Sequence, residues 1–166
     1  MKTLIKTIAI VSSFAALNAT AAISVSNNAS TTFDIGGSIA AECKINSTRN
    51  ASAATLDLTS SNAQEVATVE LWCNTGQSTA STTYTSTNAG KLKNATHNGQ
   101  DISYLLDVAQ TQSDMNLAIA QTVAQASSTG VDGASTTRAI SIKPQVNGFE
   151  YEGTYSDTIT VTVALN

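Results

Sequence analysis

The sequence predicts an all-β protein, built as a two-sheet sandwich that lacks one strand of its own and carries a surplus strand at its N-terminal end. Two observations lead to this prediction. Residues 23–45 alternate between apolar and polar side chains, and a period of two indicates an extended strand with one apolar face. Shorter alternating segments recur along the rest of the chain and are separated by turn residues, as in all-β sandwiches.

The first 21 residues are predicted to be a secretory signal peptide. Lys2 and Lys6 supply a positive start, the apolar run 5–17 follows, and an A-x-A cleavage site ends at Ala21. Cleavage after Ala22 is the alternative. The apolar run is shorter than the roughly 20 residues that a membrane-spanning helix needs, so no stable membrane insertion is expected. Removing the signal leaves about 145 residues, enough for one domain with its own core.

Cysteine usage and charge argue against several classes of function. Cys43 and Cys73 are the two cysteines, and in an exported chain they are expected to form a disulfide. The single histidine, His97, is interpreted as a solvated loop residue, and the chain has no C-x-x-C motif, so no metal or other cofactor is expected. The net charge is −4 and only 12% of residues are charged, which leaves no basic patch for nucleic acid.

The body of the chain contains short candidate strands. Residues 115–126 are interpreted as strand plus loop, with a helix as the alternative. About six core strands are expected, one fewer than the seven of the simplest immunoglobulin-like sandwich. The first body strand would begin near Cys43, and the further alternating segments, the first of them weak, are residues 54–58, 65–73, 78–87, 102–108, 136–142 and 154–165.

A missing last strand combined with a surplus first one resembles the pilins of bacterial chaperone–usher pili, across the whole mature chain. Residues 33–39 (FDIGGSI), followed by Cys43-Lys44-Ile45, resemble the family's donor strand, glycine break and first body strand. Residues 153–163 resemble its closing motif, and their G-x-Y-x-D run resembles the spore-coat-U-like branch, which includes the archaic pili. Leu165 departs from the pattern, because many pilins carry an aromatic residue in the penultimate position.

The resemblance implies three parts: a signal peptide (1–21), an N-terminal donor-strand extension (22–37) and an Ig-like pilin body (38–166). It also implies a structural subunit that a periplasmic chaperone holds by lending it a strand. An outer-membrane usher would then exchange that strand for the extension of the next identical or related pilin. The product would be a cell-surface pilus, exported through the periplasm, that supports adhesion and biofilm formation.

The resemblance and the alternation together indicate which residues form the sites. Gly36 and Gly37 would form a hinge, with an ordinary bulge as the alternative. Phe33 would be the dominant anchor among the donor-strand residues that enter the next subunit's groove, which are Val25, Ala29, Thr31, Phe33 and Ile35. The strand that receives the chaperone or the donor would carry Gly153, Tyr155, Ile159, Val161, Val163 and Leu165.

Two rival classes of function have less support. A self-contained secreted carbohydrate-binding sandwich would need surface aromatic residues, but aromatic residues make up only 5% of the chain and Trp72 is the single tryptophan. No enzyme is expected, because nucleophilic catalysis needs a base held beside the nucleophile and the single histidine lies in a polar run. The carboxylates of Glu150 and Glu152 have an ordinary surface explanation.

Overall fold

The body is an all-β, incomplete two-sheet sandwich, as the sequence predicts. The structure is a computed structural model that describes residue 30 and residues 32–128, 130 and 132–165. The chain divides between Ser38 and Ile39 into a leading segment and a folded body. The strands of the body are β1 (Cys43–Arg49), β2 (Gln64–Cys73), β3 (Thr79–Ser86), β4 (Lys91–Asn94), β5 (Ile102–Val108), β6 (Gln112–Met115), β7 (Gln121–Ala126), β8 (Thr136–Pro144), β9 (Tyr155–Ser156) and β10 (Ile159–Ala164).

Both sheets are built from antiparallel pairs. The larger sheet has the order β1-β2-β8-β5-β4-β9, with β6 paired to β5, and the smaller sheet has the order β10-β3-β7. The first and last strands of the body, β1 and β10, are therefore edge strands of different sheets, and they lie close to each other.

The core lies between the two sheets and follows from the period-two alternation of the strands. Every second residue of β5 is buried, and the inward side chains of β2, β3 and β8 complete the packing. A smaller cluster of Leu71, Cys73 and Ala80 packs against the half-buried Val163. The main cluster consists of Val69, Tyr84, Leu92, Ile102, Tyr104, Leu106, Val108, Met115, Leu117, Ile140 and Ile142.

Some predicted strand positions are wrong. The described residues form ten strands, whereas about six core strands are expected; of the additional ones, β4, β6 and β9 are too short to show a period. Residues 54–58 form no strand: a 3-10 helix, Ala51–Ala54, is followed by a loop in which the Asp57 carboxylate accepts the Thr59 backbone N–H at 2.9 Å. The interpretation of residues 115–126 as strand plus loop is confirmed, since β6 ends at Met115 and β7 begins at Gln121.

Of the long alternating strand predicted for residues 23–45, the described residues form a strand only from Cys43 onwards. Residues 32–42 carry no strand assignment, and residues 23–29 and 31 lie outside the described part of the chain. Alternation shows which side chains share a face, but a strand forms only where a second strand satisfies its backbone groups. The alternation upstream of Cys43 therefore indicates that this segment could pair as a strand, although residues 32–42 form no strand in the structure.

The predicted disulfide between Cys43 and Cys73 is confirmed. It joins β1 to β2 at directly opposed positions of the ladder. A disulfide of this kind is typical of a protein exported from the reducing cytosol. Among the residues that the structure describes, no helix has the length and apolar character to cross a membrane.

Replacing both cysteines with serine is expected to lower the free energy of unfolding by roughly 3–4 kcal/mol, since the bond closes a loop with a sequence separation of 30 residues. Urea unfolding of the double variant beside the oxidised wild type measures the loss. Reducing the wild-type disulfide should produce the same shift. Equal unfolding midpoints for the oxidised, reduced and substituted forms would contradict this stabilising role.

Candidate functional site

The candidate site is the open edge, defined here as the side of β10 that faces away from β3. β10 pairs antiparallel with β3 from Ile159 opposite Ser86 to Ala164 opposite Ser81. Within residues 32–128 and 132–165, no strand pairs with the other side of β10. β1 likewise pairs with β2 alone in this part of the chain, and it lies close to β10. Among the described strands, two neighbouring sheet edges are thus left without partners.

Apolar side chains along the open edge are only partly covered. Ile159, Val161 and Val163 are half-buried and alternate with exposed residues. The corresponding inward residues of the interior strand β2, Val69 and Leu71, are fully buried. The difference arises because β2 has a strand on each side, whereas β10 has one. Leu165, the next residue of the same alternation, is 46% exposed.

The backbone of the same three residues points towards the open edge. The Thr87 N–H donates to the Thr158 carbonyl at 2.9 Å, so these two opposed residues form a hydrogen-bonded pair. The next pair along the ladder, Ser86 and Ile159, is therefore a non-hydrogen-bonded pair. The hydrogen-bonded pairs with β3 then involve the even-numbered residues of β10, because the two kinds of pair alternate along an antiparallel ladder. The N–H and C=O groups of Ile159, Val161 and Val163 consequently point away from β3. Apolar side chains and free backbone groups coincide on one edge, which is what an added strand requires.

The other residues predicted for the groove strand lie before β10. Tyr155 belongs to β9, where it pairs with Asn94 of β4, and its hydroxyl donates to the Tyr151 carbonyl at 2.6 Å. Gly153 lies in the loop before β9 and has a φ of +142°. The structure therefore places four of the predicted residues at alternate positions of one segment: Ile159, Val161, Val163 and Leu165. Gly153 and Tyr155 lie before this segment.

Gly153 fits tightly against the buried side chain of Asn94. The Asn94 Nδ2 donates to the Glu152 carbonyl at 3.1 Å, and its Oδ1 accepts the backbone N–H groups of Thr96 and His97 at 2.8 and 2.9 Å. A Cβ atom at position 153 would lie 2.5 Å from that Oδ1. Asn94 cannot move away without losing these hydrogen bonds.

Gly153→Ala is therefore expected to destabilise the body more than Gly148→Ala. Gly148 also has a positive φ, +87°, but nothing lies within 4 Å of its Cβ position. In both variants an alanine at a positive φ costs about 1–3 kcal/mol of folding free energy. Only Gly153→Ala adds the clash with Asn94. Chemical denaturation of the two variants measures the difference. Equal destabilisation would show that the Asn94 contact does not matter.

Asp157, which is not among the residues predicted for the site, holds the beginning of β10 in place. Its Oδ2 accepts hydrogen bonds from the hydroxyls of Ser86 and Tyr104 at 2.5 and 2.6 Å. Its Oδ1 accepts the backbone N–H groups of Asn88 and Thr158 at 3.0 and 2.7 Å. Burial, together with the Asp157 hydrogen bond, raises the pKa of Tyr104, so its phenol remains a neutral donor. The aspartate of the G-x-Y-x-D run was the available signal.

The predicted donor residues fall partly outside the described chain. Val25, Ala29 and Thr31 lie outside it, whereas the side chains of Phe33 and Ile35 are 82% and 87% exposed. Gly36 and Gly37 do not have positive φ values, and no described residue lies within 4 Å of a Cβ built at either position. The conformation seen here does not itself demand glycine at the predicted hinge.

The fold and the site define a class: an all-β, disulfide-bonded sandwich that is incomplete, with an open edge on its last strand. Comparison with known proteins gives no family beyond this class, since no family model matches the chain and no curated protein matches it. Among the described residues, no group of three or more histidine, cysteine, aspartate or glutamate side chains could hold a metal ion.

Proposed function

We propose that the chain is a structural subunit of a surface filament and that it polymerises by donor-strand complementation. The observation that carries the proposal is the coincidence, on the open edge, of half-buried apolar side chains with backbone groups directed away from β3. An inserted strand would cover the side chains and satisfy the backbone groups in one step. The exposed apolar residues Phe33 and Ile35, in the leading segment of the chain, supply a strand of the required pattern.

The energetics favour association by this route. Covering a Phe, Ile or Val side chain contributes roughly 1.5–3 kcal/mol. Three such side chains would contribute about 5–9 kcal/mol before the cost of ordering the strand, and hydrogen bonds along the edge add to this. Because each chain would offer its leading segment to the next chain, the contact is head-to-tail. Such contacts do not close into a ring, so assembly would give a filament.

Export and assembly complete the proposal. The resemblance to chaperone–usher pilins assigns residues 1–21 to a signal peptide and residues 22–37 to the extension. It makes a periplasmic chaperone the temporary occupant of the open edge and an outer-membrane usher the site of exchange. The filament would act at the cell surface in adhesion and biofilm formation.

Electron microscopy of filaments sheared from the surface of expressing cells, with mass spectrometry of their main component, tests the proposal. The expected result is a filament composed mainly of this chain, in which the first residue of the mature protein is Ala22 or Ile23. A matched strain that expresses the chain without residues 22–35 should carry no such filaments. Normal filaments in that strain would contradict the proposal.

A further inference from the structure

A polar cleft lies at one end of the body, between the connection from β4 to β5 and the loop from β8 to β9. Its volume is about 170 Å³, which is small beside the roughly 300–1,000 Å³ typical of sites for drug-sized ligands. Residues that contribute to its wall include Gln100, Asp101, Asn147, Phe149 and Tyr151. The cleft is formed by residues other than those of the open edge.

Two exposed aromatic rings stand at this cleft. The side chain of Phe149 is 88% exposed and that of Tyr151 is 54% exposed. The loop that carries them is held by its own hydrogen bonds: the Glu150 carboxylate accepts the Asn147 and Gly148 backbone N–H groups at 2.6 and 3.0 Å. Tyr151 is further fixed by the ring of His97, with the ring centroids 5.2 Å apart. The aromatic rings are thus presented by an ordered loop.

His97 differs from the solvated loop residue that the sequence suggested. It is half-buried and packs on Tyr151, and its Nε2 atom is buried without a hydrogen-bond partner in the described part of the chain. The structure therefore uses this histidine as a support behind the exposed ring of Tyr151.

The wall of the cleft contains a buried carboxylate that is only half satisfied. The Asp101 side chain is 8% exposed, and its Oδ2 forms an ion pair with the Lys93 ammonium at 2.5 Å. Its Oδ1 is buried and has no hydrogen-bond partner among the residues that the structure describes. The Lys93 ammonium lowers the pKa of Asp101, so the carboxylate is ionised and acts only as an acceptor at neutral pH. Oδ1 is covered in this structure, so the Asp101 carboxylate acts on a ligand in the cleft through its charge, which favours hydrogen-bond donors over acceptors.

We propose that this cleft binds one ring of a neutral saccharide. Sugar hydroxyl groups are donors that the Asp101 carboxylate attracts, and they also exchange hydrogen bonds with side-chain amides such as those of Gln100 and Asn147. The apolar C–H face of a sugar ring packs on aromatic rings, which Phe149 and Tyr151 supply. Anionic ligands are disfavoured by the carboxylates of Asp101 and Glu150. The small volume and the polar wall disfavour a large apolar side chain.

Trp72, the aromatic residue considered for sugar binding from the sequence, is used differently. Its Nε1–H donates to the Gly130 carbonyl at 2.8 Å, and the Lys44 ammonium lies 5.4 Å from the centre of its ring. The cleft residues were not recognised from the sequence because they come from two segments that are more than 40 residues apart in the chain.

Saturation-transfer difference NMR on the full mature chain tests the saccharide site, whether the chain is monomeric or assembled, because the method observes the ligand. The probes are the methyl glycosides of glucose, galactose, mannose, N-acetylglucosamine and N-acetylgalactosamine. At least one probe is expected to give a saturable signal. Phe149→Ala, a change at an exposed residue, should weaken it by about fivefold or more, and Asp101→Asn should also weaken it. The matched control is Ile119→Ala, another exposed apolar residue, which should leave it unchanged.

Three results would overturn the saccharide site. One is the absence of a saturable signal with every probe. Another is a signal that Phe149→Ala and Asp101→Asn leave unchanged. The third is a loss of lateral association between filaments in Phe149→Ala without any probe binding, which would make the cleft a protein contact. Because the first two results are obtained with the mature chain whether or not it polymerises, the saccharide site and the proposed polymerisation fail separately.

Discussion

Filament growth is expected to stop when Phe33 is replaced with Asp, while the folded body remains unchanged. Phe33 is 82% exposed, so the new carboxylate costs nothing in the free subunit. In the polymer, the substitution removes roughly 1.5–3 kcal/mol of apolar burial and adds the cost of taking a charge out of water. Subunit association should weaken by about 100-fold or more. The amount of sheared surface filament, together with a denaturation curve of the subunit, measures both parts.

A matched control for this variant is Thr32→Asp. It introduces the same charge one residue earlier, on the opposite face of the predicted donor strand. Thr32→Asp should polymerise close to the wild-type level. Normal filaments from Phe33→Asp, or equal losses in the two variants, would contradict the assignment of Phe33 as the donor anchor.

The second large effect is expected at the open edge, where Val163→Asp should prevent a subunit from receiving a donor strand. Val163 is half-buried on the side of β10 that faces the core, so an inserted strand would bury the new charge. Thr162→Asp is the control, since it places the same charge on the exposed face of the same strand. The Thr162 variant should still polymerise. Similar losses in both variants would show that the open edge is not the acceptor.

Mixing the two defective subunits separates donation from acceptance. Phe33→Asp retains an intact open edge, and Val163→Asp retains an intact leading segment. Each variant alone should stay monomeric, whereas a mixture should give dimers of one Val163→Asp chain and one Phe33→Asp chain and nothing longer. Analytical ultracentrifugation resolves these species. Monomers only, or long polymers, in the mixture would contradict a directional strand exchange.

The sequence predicts those parts of the fold in which alternation and burial coincide. β2, β5 and β8 have strands on both sides, and the side chains that they bury, at alternate positions, are apolar, so the period is plain. β7 is an edge strand whose inward residues include the buried Gln125, and the apolar signal is weaker there. β4 and β9, with four and two residues, are too short for any period.

The site could be predicted only where it follows one strand. Ile159, Val161, Val163 and Leu165 form a continuous alternation, so one pattern identifies them all. Asp157 depends on donors from β3, β5 and the turn after β3, and no sequence period links these positions. The direction of the backbone groups of β10 could be derived only from the hydrogen bonding between β10 and β3.

The most direct test of strand exchange is a cross-link from position 33. A photoreactive phenylalanine analogue is placed at Phe33, and assembled protein is prepared from equal amounts of isotopically light and heavy chains. Mass spectrometry after irradiation should find position 33 joined to residues 159–165 or 43–49, with light and heavy peptides mixed in the same product. If the cross-linked peptides always carry the same label, each chain completes its own sandwich and does not exchange strands with another.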